Sequence, residues 1–168
     1  MKNKIIFTLI LIISLIFSSC SIKKMAYNSA ANAMAPLPEK KTKSAPDAPN
    51  PITALTGEDD VELVGEVFPV ILKLYEGMHI ADPSHRGLAI MTGELYIMYS
   101  NVFVEGPANY LSDDEYDKKD KAFNRAKKFY KRGYNKILSA LDMAYPGFTE
   151  AVNSDNTEKI EAMLKNCK

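Results

Sequence analysis

The 168 residues of this chain carry 21 Lys+Arg and 21 Asp+Glu. That balance excludes a general electrostatic grip on nucleic acid. A hydrophobic fraction of 46% with 25% charged residues is that of a globular protein. There is no Trp, and nine Tyr and seven Phe supply the aromatic area.

In chain order, Lys2 and Lys4 precede an apolar run from Ile5 to Phe17, interrupted only by Thr8 and Ser14. The run is too short for the ~20 residues a spanning helix needs, and it reads as a secretory signal over residues 1–19. Ser18 and Ser19 then lead into Cys20. "FSSC" resembles the lipobox of bacterial lipoproteins, with Phe17 where Leu is usual; the alternative is an ordinary signal peptide with an incidental Cys. On the lipobox reading Cys20 is lipidated, and Ser21, not being Asp, directs the protein to the outer membrane. The second cysteine, Cys167, is then left without a partner, which excludes a disulfide framework within one chain.

A short helix is expected over 20–35, with Ile22, Met25, Ala26, Ala30, Ala33 and Met34 on one face. Pro36, Pro38, Pro46, Pro49 and Pro51 mark 36–57 as an extended linker. A helical domain is expected over 58–168. Val64, Val67, Phe68, Ile71, Leu74, Tyr75 and Met78 have a helical period, with Asp59 and Asp60 at the N-terminus and Pro69 predicting a kink. After Asp82-Pro83 a second helix is predicted from Ser84 to Glu105, ended by Gly106-Pro107. Its part "LYIMYSNVFV" is apolar nearly all round. Ser112 to Glu115 reads as a capping box for a long helix that carries Ala126, Phe129, Gly133, Ile137 and Leu141 on its apolar face. Acids at its start and bases further on complement the helix dipole. Two short helices follow Pro146-Gly147. No segment alternates long enough for a strand, so the predicted class is all-α.

Asp-Pro punctuation invites a test for the tetratricopeptide repeat. Counted from Pro83, the repeat's Gly and Tyr positions fall on Gly93 and Tyr96, whereas its Trp and Leu positions fall on Ala89 and Thr92. The count from Pro146 matches nothing. The reading is a degenerate tetratricopeptide-like array of helix hairpins, with Gly93 and Tyr96 as repeat-packing residues.

"TGELYIMYSNVFVEGPANYL", "RAKKFYKRG" and "AYPGF", with "LVGEVFPVILKLYEGM" and the start "CSIKKMA", together resemble the T component of tetratricopeptide-repeat-associated TRAP transporters. The resemblance runs from Cys20 to Lys168. It implies a non-enzymatic periplasmic lipoprotein of stacked helices, without cofactors, partnered with the solute-receptor subunit of a TRAP importer. It also implies trimers with an apolar pore through each protomer, and lipidation at Cys20. Members of that family continue about as long again past the segment matching "EKIEAMLKNCK" and carry a Trp-bearing helix. The expectation is therefore an N-terminal half, with an exposed inner face and with trimer and pore incomplete.

Three aromatics of the apolar helix, Tyr96, Tyr99 and Phe103, are candidates to line a groove or pore; core packing is the plainer reading. His79 and His85 flank Asp82-Pro83 without a third nitrogen or sulfur ligand, and no metal site is expected. Asp113, Asp114, Glu115 and Asp117 lack the spaced loop of a calcium site. No phosphate-binding loop, dinucleotide fingerprint or nucleophile elbow is present. Two other functions fit the same residues: a helical scaffold lipoprotein of the envelope, and a truncated product without function.

Overall fold

The computed structural model describes residues 24–37 and 52–165. The signal segment, Cys20, most of the Pro-rich linker and Cys167 lie outside the described residues. All regular structure among the described residues is helical. The helices are α1 (24–34), α2 (Thr53–Thr56), α3 (Val61–Ala81), α4 (Arg86–Tyr99), α5 (Gly106–Asn109), α6 (Tyr116–Ala144), α7 (Phe148–Asn153) and α8 (Thr157–Leu164), with a π-helical turn at Ser100–Glu105 and a 3₁₀ turn at Asp113–Glu115. No described helix is long and apolar enough to cross a membrane.

Local signals set the ends of these helices. The Asp60 carboxylate accepts the Leu63 N–H at 3.0 Å and caps α3. The helix then runs through Pro69 to Ala81 without a break. His85 caps α4: its Nδ1 accepts the Leu88 N–H at 3.1 Å, which leaves Nε2 to donate to Asn32 Oδ1 at 3.2 Å. That tautomer employs both ring nitrogens in structure. Asn156 caps α8 by accepting from Lys159 N. Gly147, at φ 87°, makes the left-handed turn between α6 and α7 that a side chain would disfavour.

Two predicted boundaries differ from the structure. Gly106-Pro107 does not end the second helix. The π turn shifts the hydrogen-bond ladder by one residue, Gly106 N–H reaching Asn101 O, and the chain re-enters an α-helix at Gly106. Pro107 then sits in the first turn of α5, where its missing N–H costs little. Ser112 does not cap the backbone; its hydroxyl is hydrogen-bonded to Glu115 Oε2 at 3.2 Å, and a 3₁₀ turn leads into α6.

The core is built where α3, α4 and α6 meet, α6 packing chiefly on α4. Phe68, Leu72 and Tyr75 of α3 and Leu88, Leu95 and Tyr96 of α4 are buried. Gly93 and Gly133 let α4 and α6 touch along their backbones. A Cβ on Gly133 would lie 2.8 Å from Gly93 O, and one on Gly93 would lie 2.8 Å from Ile137 Cδ1.

The core also includes α1. Its buried positions are Ala31 and Ala35, with Tyr27 and Met34 beside them, and not the Met25–Ala26–Ala30–Ala33 face. The reason is a close approach to α4: a Cβ on Gly87 would lie 2.1 Å from Ala35 O, so only small residues fit there. Tyr75 Oη donates to Met34 O at 2.9 Å and Tyr27 Oη donates to Met78 O, fixing α1 to α3. Within the expected linker, α2 adds Leu55 to the same core.

A candidate binding surface at the aromatic cluster

The π turn governs the local geometry of the apolar helix. Ser100, fully buried, donates from Oγ to Ala126 O at 3.0 Å and pins the turn to α6. Such turns cost regular hydrogen bonding and recur at functional positions. Here the turn joins Tyr99 and Phe103 to a continuous aromatic cluster. Their rings are stacked at 5.8 Å, Phe68 lies 5.6 and 5.7 Å from them, and Phe129 of α6 meets Tyr99 edge-on at 5.6 Å. Tyr96 closes the series 5.9 Å from Phe129. Each such pair contributes about 0.5–1.5 kcal/mol beyond its buried area.

Two guanidinium groups cover the cluster from α6. Arg125 lies 5.2 Å from the Phe129 centroid and 5.8 Å from that of Tyr99, and Arg132 lies 5.6 Å from Phe129 and 5.8 Å from Tyr96. Their charge faces the electron-rich ring faces while their stems pack on apolar surface.

The three candidate aromatics occupy different places. Tyr96 is fully buried, and its hydroxyl donates to Glu76 Oε1 at 2.7 Å. Glu76 also accepts from Lys73 at 2.5 Å. Burial raises the Glu76 carboxyl, but the hydrogen bonds from Lys73 and Tyr96, aided by the charges of Lys73 and Arg132, outweigh it and hold the group below its ordinary value. Tyr99 is half-buried inside the cluster. Phe103, also half-buried, forms the edge of an open groove of about 330 Å³. Val104, Pro107, Ala108 and Leu111 continue that apolar wall. The opposite wall is α6, through Ala122 and the side chains of Lys118, Lys121 and Arg125. The groove is therefore an apolar trough with a cationic rim. The sequence reading missed its α5 and α6 walls; the basic residues spaced 118, 121 and 125 along one helix were the available signal.

A second polar site lies across the fold. His79 is 5% exposed, and its Nδ1 lies 2.7 Å from Lys136 Nζ. Burial first, and the Lys136 charge second, lower the imidazole below its ordinary value; the Pro83 carbonyl and Asp82 act the other way, and His85 adds to the lowering. No group of three or more His, Cys, Asp or Glu side chains suited to a metal ion occurs among the described residues.

Comparison with known proteins places this geometry in a family. The TRAP transporter T-component pattern matches residues 57–168, which takes in α3 to α8, the π turn and the groove. An uncharacterized protein of Treponema pallidum (strain Nichols) is 40% identical over 153 residues, covering 91% of this chain and 47% of that relative. The chain thus spans about half the length of the relative it matches. The match reaches across α3 to α8, the helices around the aromatic cluster, and this chain belongs to the TRAP transporter T-component family.

Proposed function

We propose that the protein is a non-enzymatic, periplasmic accessory lipoprotein of a TRAP-type solute importer, anchored through lipid on Cys20. It docks the solute-receptor subunit and offers the apolar groove at Phe103 to that subunit's ligand. The observation that carries this reading is the family match over the body in which the groove lies. The groove's character supports it: an apolar wall, a cationic rim and a π turn at its edge suit a surface that meets another molecule. The packing at Gly93 and Tyr96 holds α4 against α6 and so fixes the groove's two walls relative to each other.

The test is a capture from native membranes. The bait is the full chain with Cys20 intact and a C-terminal tag, and mass spectrometry identifies the proteins retained. Co-purification of a TRAP solute receptor is the expected result, weakened by Leu111→Glu in the groove wall. Folded, abundant bait that retains no receptor would overturn the proposal. The burial of Tyr96 favours a second reading, a helical scaffold of the envelope with a solid core and no solute path. Receptor capture that Leu111→Glu leaves unchanged would favour that reading for the groove.

A further inference from the structure

From Lys121 to Leu141, α6 carries lysines and arginines and not one Asp or Glu, in a chain whose charges cancel. The helix dipole does not account for them. Its pull on cations falls off within the last turn, and the last turn of α6 holds no base. Nor are the cations spread evenly round a solvated helix. Lys121, Arg125, Lys128 and Arg132 follow one another at helical intervals of four, three and four residues, so they share one face. At 1.5 Å per residue that face is a straight stripe about 17 Å long. Like charges one turn apart repel and weaken a helix, so the arrangement works against the isolated fold.

Among the described residues nothing neutralises the stripe. The cations at its two ends are committed elsewhere: Lys118 pairs with Glu115 at 2.8 Å, and Lys136 meets His79 at 2.7 Å. The four between them form no ion pair with a described residue. Arg132 is felt by Glu76, but that carboxylate is already taken by Lys73 and Tyr96. The contrast is with the outer face of α3, where Leu63, Val67, Val70 and Leu74 are exposed. Any apolar cover could bury those. A row of cations is different: whatever meets it has to bring anions, because an unpaired charge is costly to take out of water.

We propose that the stripe is the docking surface for the solute-receptor subunit and meets a row of carboxylates on that protein. The inference rests on the transport reading above and adds to it the surface and the partner's chemistry. Two features fit a protein partner. Arg125 and Arg132 are held over the rings of Tyr99, Phe129 and Tyr96 at 5.2–5.8 Å, so their planar forks are placed before the partner arrives. Such forks grip carboxylates through paired N–H donors, and arginine beside tyrosine is the composition of an interface centre.

The other anionic surface within reach of a lipidated chain is a membrane. The groove argues against it. Lys121 and Arg125 belong both to the stripe and to the groove wall opposite Phe103. A bilayer laid on the stripe would close that groove, whereas a receptor bound there sets its ligand beside it. Attraction between opposite charges on two protein surfaces also fixes orientation and speeds encounter, and it weakens as salt screens it.

Receptor capture from native membranes, with the full chain as bait and the retained receptor quantified, tests the stripe by charge reversal. Lys121→Glu with Lys128→Glu is expected to lower capture about tenfold or more, the scale of like charges brought face to face. The helical circular dichroism is expected to persist, because the reversal relieves repulsion within α6. Lys121→Gln with Lys128→Gln is expected to give a smaller loss in the same direction. Lys127→Glu with Lys131→Glu makes the same change of charge on another face of α6 and is expected to alter capture by less than about threefold. Raising salt from about 0.05 M to about 0.5 M is expected to weaken wild-type capture. Equal capture by the wild type and the stripe reversal, or equal loss with either reversal, would overturn the proposal and leave the transport reading standing. Folded wild type that retains no receptor at all would overturn both. A preference of the full chain for phosphatidylglycerol over phosphatidylcholine vesicles, abolished by the stripe reversal while receptor capture persists, would assign the stripe to the membrane and overturn the proposal.

Discussion

The α4–α6 crossing and the outer face of α3 are both apolar, both helical and both contain glycine, yet they are opposites. At the crossing, Gly93 and Gly133 lie with atoms of the other helix within 3.0 Å of where a Cβ would stand. On α3, a Cβ on Gly77 would meet nothing within 4 Å among the described residues. The same residue type is obligatory in one place and has no close neighbour in the other, as judged among the described residues. The difference separates a contact the fold has completed from a face that no described residue covers. Composition and periodicity treat the two faces alike; only the distances distinguish them.

The largest effect expected on this contrast is at the crossing. Gly133→Ala places a methyl against Gly93 O, which is backbone and cannot rotate away, and against Ile97 Cγ1, also 2.8 Å distant. The helices must separate, at a cost of about 1–3 kcal/mol. Gly93→Ala is expected to cost less, because its nearest obstacle is the flexible end of Ile137. Urea unfolding of the three proteins checks both the loss and its order. Equal stability of all three would remove the distinction between the two faces.

Much of this architecture is legible in the residues. The 3.6-residue pattern in α3 and α6 marks both helices, and Asp60 and the two breaks at Asp82-Pro83 and Pro146-Gly147 delimit them. Three features are not legible, each for a physical reason. Gly106-Pro107 reads as a stop because the π turn that absorbs the proline leaves no mark in periodicity. Residues 24–35 read as a separate helix because their docking depends on Gly87 and Ala35 approaching across a long stretch of chain. Tyr96, Tyr99 and Phe103 form one stripe at helical spacing, yet one is sealed, one half-sealed and one at a groove. What decides among them is the position of α6 and of Glu76, which sequence spacing does not contain.

A smaller effect tests whether the closed side of the fold behaves as sealed. His79 titrates at its ordinary 6.5 in the unfolded chain and lower in the fold, where burial and Lys136 oppose its protonation. Between those values the unfolded state binds the extra proton. The contribution of neutral His79 to stability is therefore complete above pH 6.5 and is lost as pH falls toward the folded value. Glu76 acts in the same direction at lower pH, its stabilisation present above the ordinary 4.5 and lost as the carboxylate is protonated. Urea midpoints measured against pH are expected to fall in two steps. His79→Gln, which keeps an acceptor for Lys136, removes the first step, and Glu76→Gln removes the second. A single step at low pH in the wild type would show that His79 is not sealed.

The smallest effect has the opposite sign. Gly77→Ala adds a methyl where no described residue lies within 4 Å, so it meets no packing obstacle there and reduces the freedom of the unfolded backbone. It is expected to stabilise α3 by up to about 1 kcal/mol, the helix-propensity difference between the two residues. Thermal unfolding of the two proteins side by side reads the gain. A Gly77→Ala protein no more stable than the wild type would mean that the outer face of α3 is not open at Gly77.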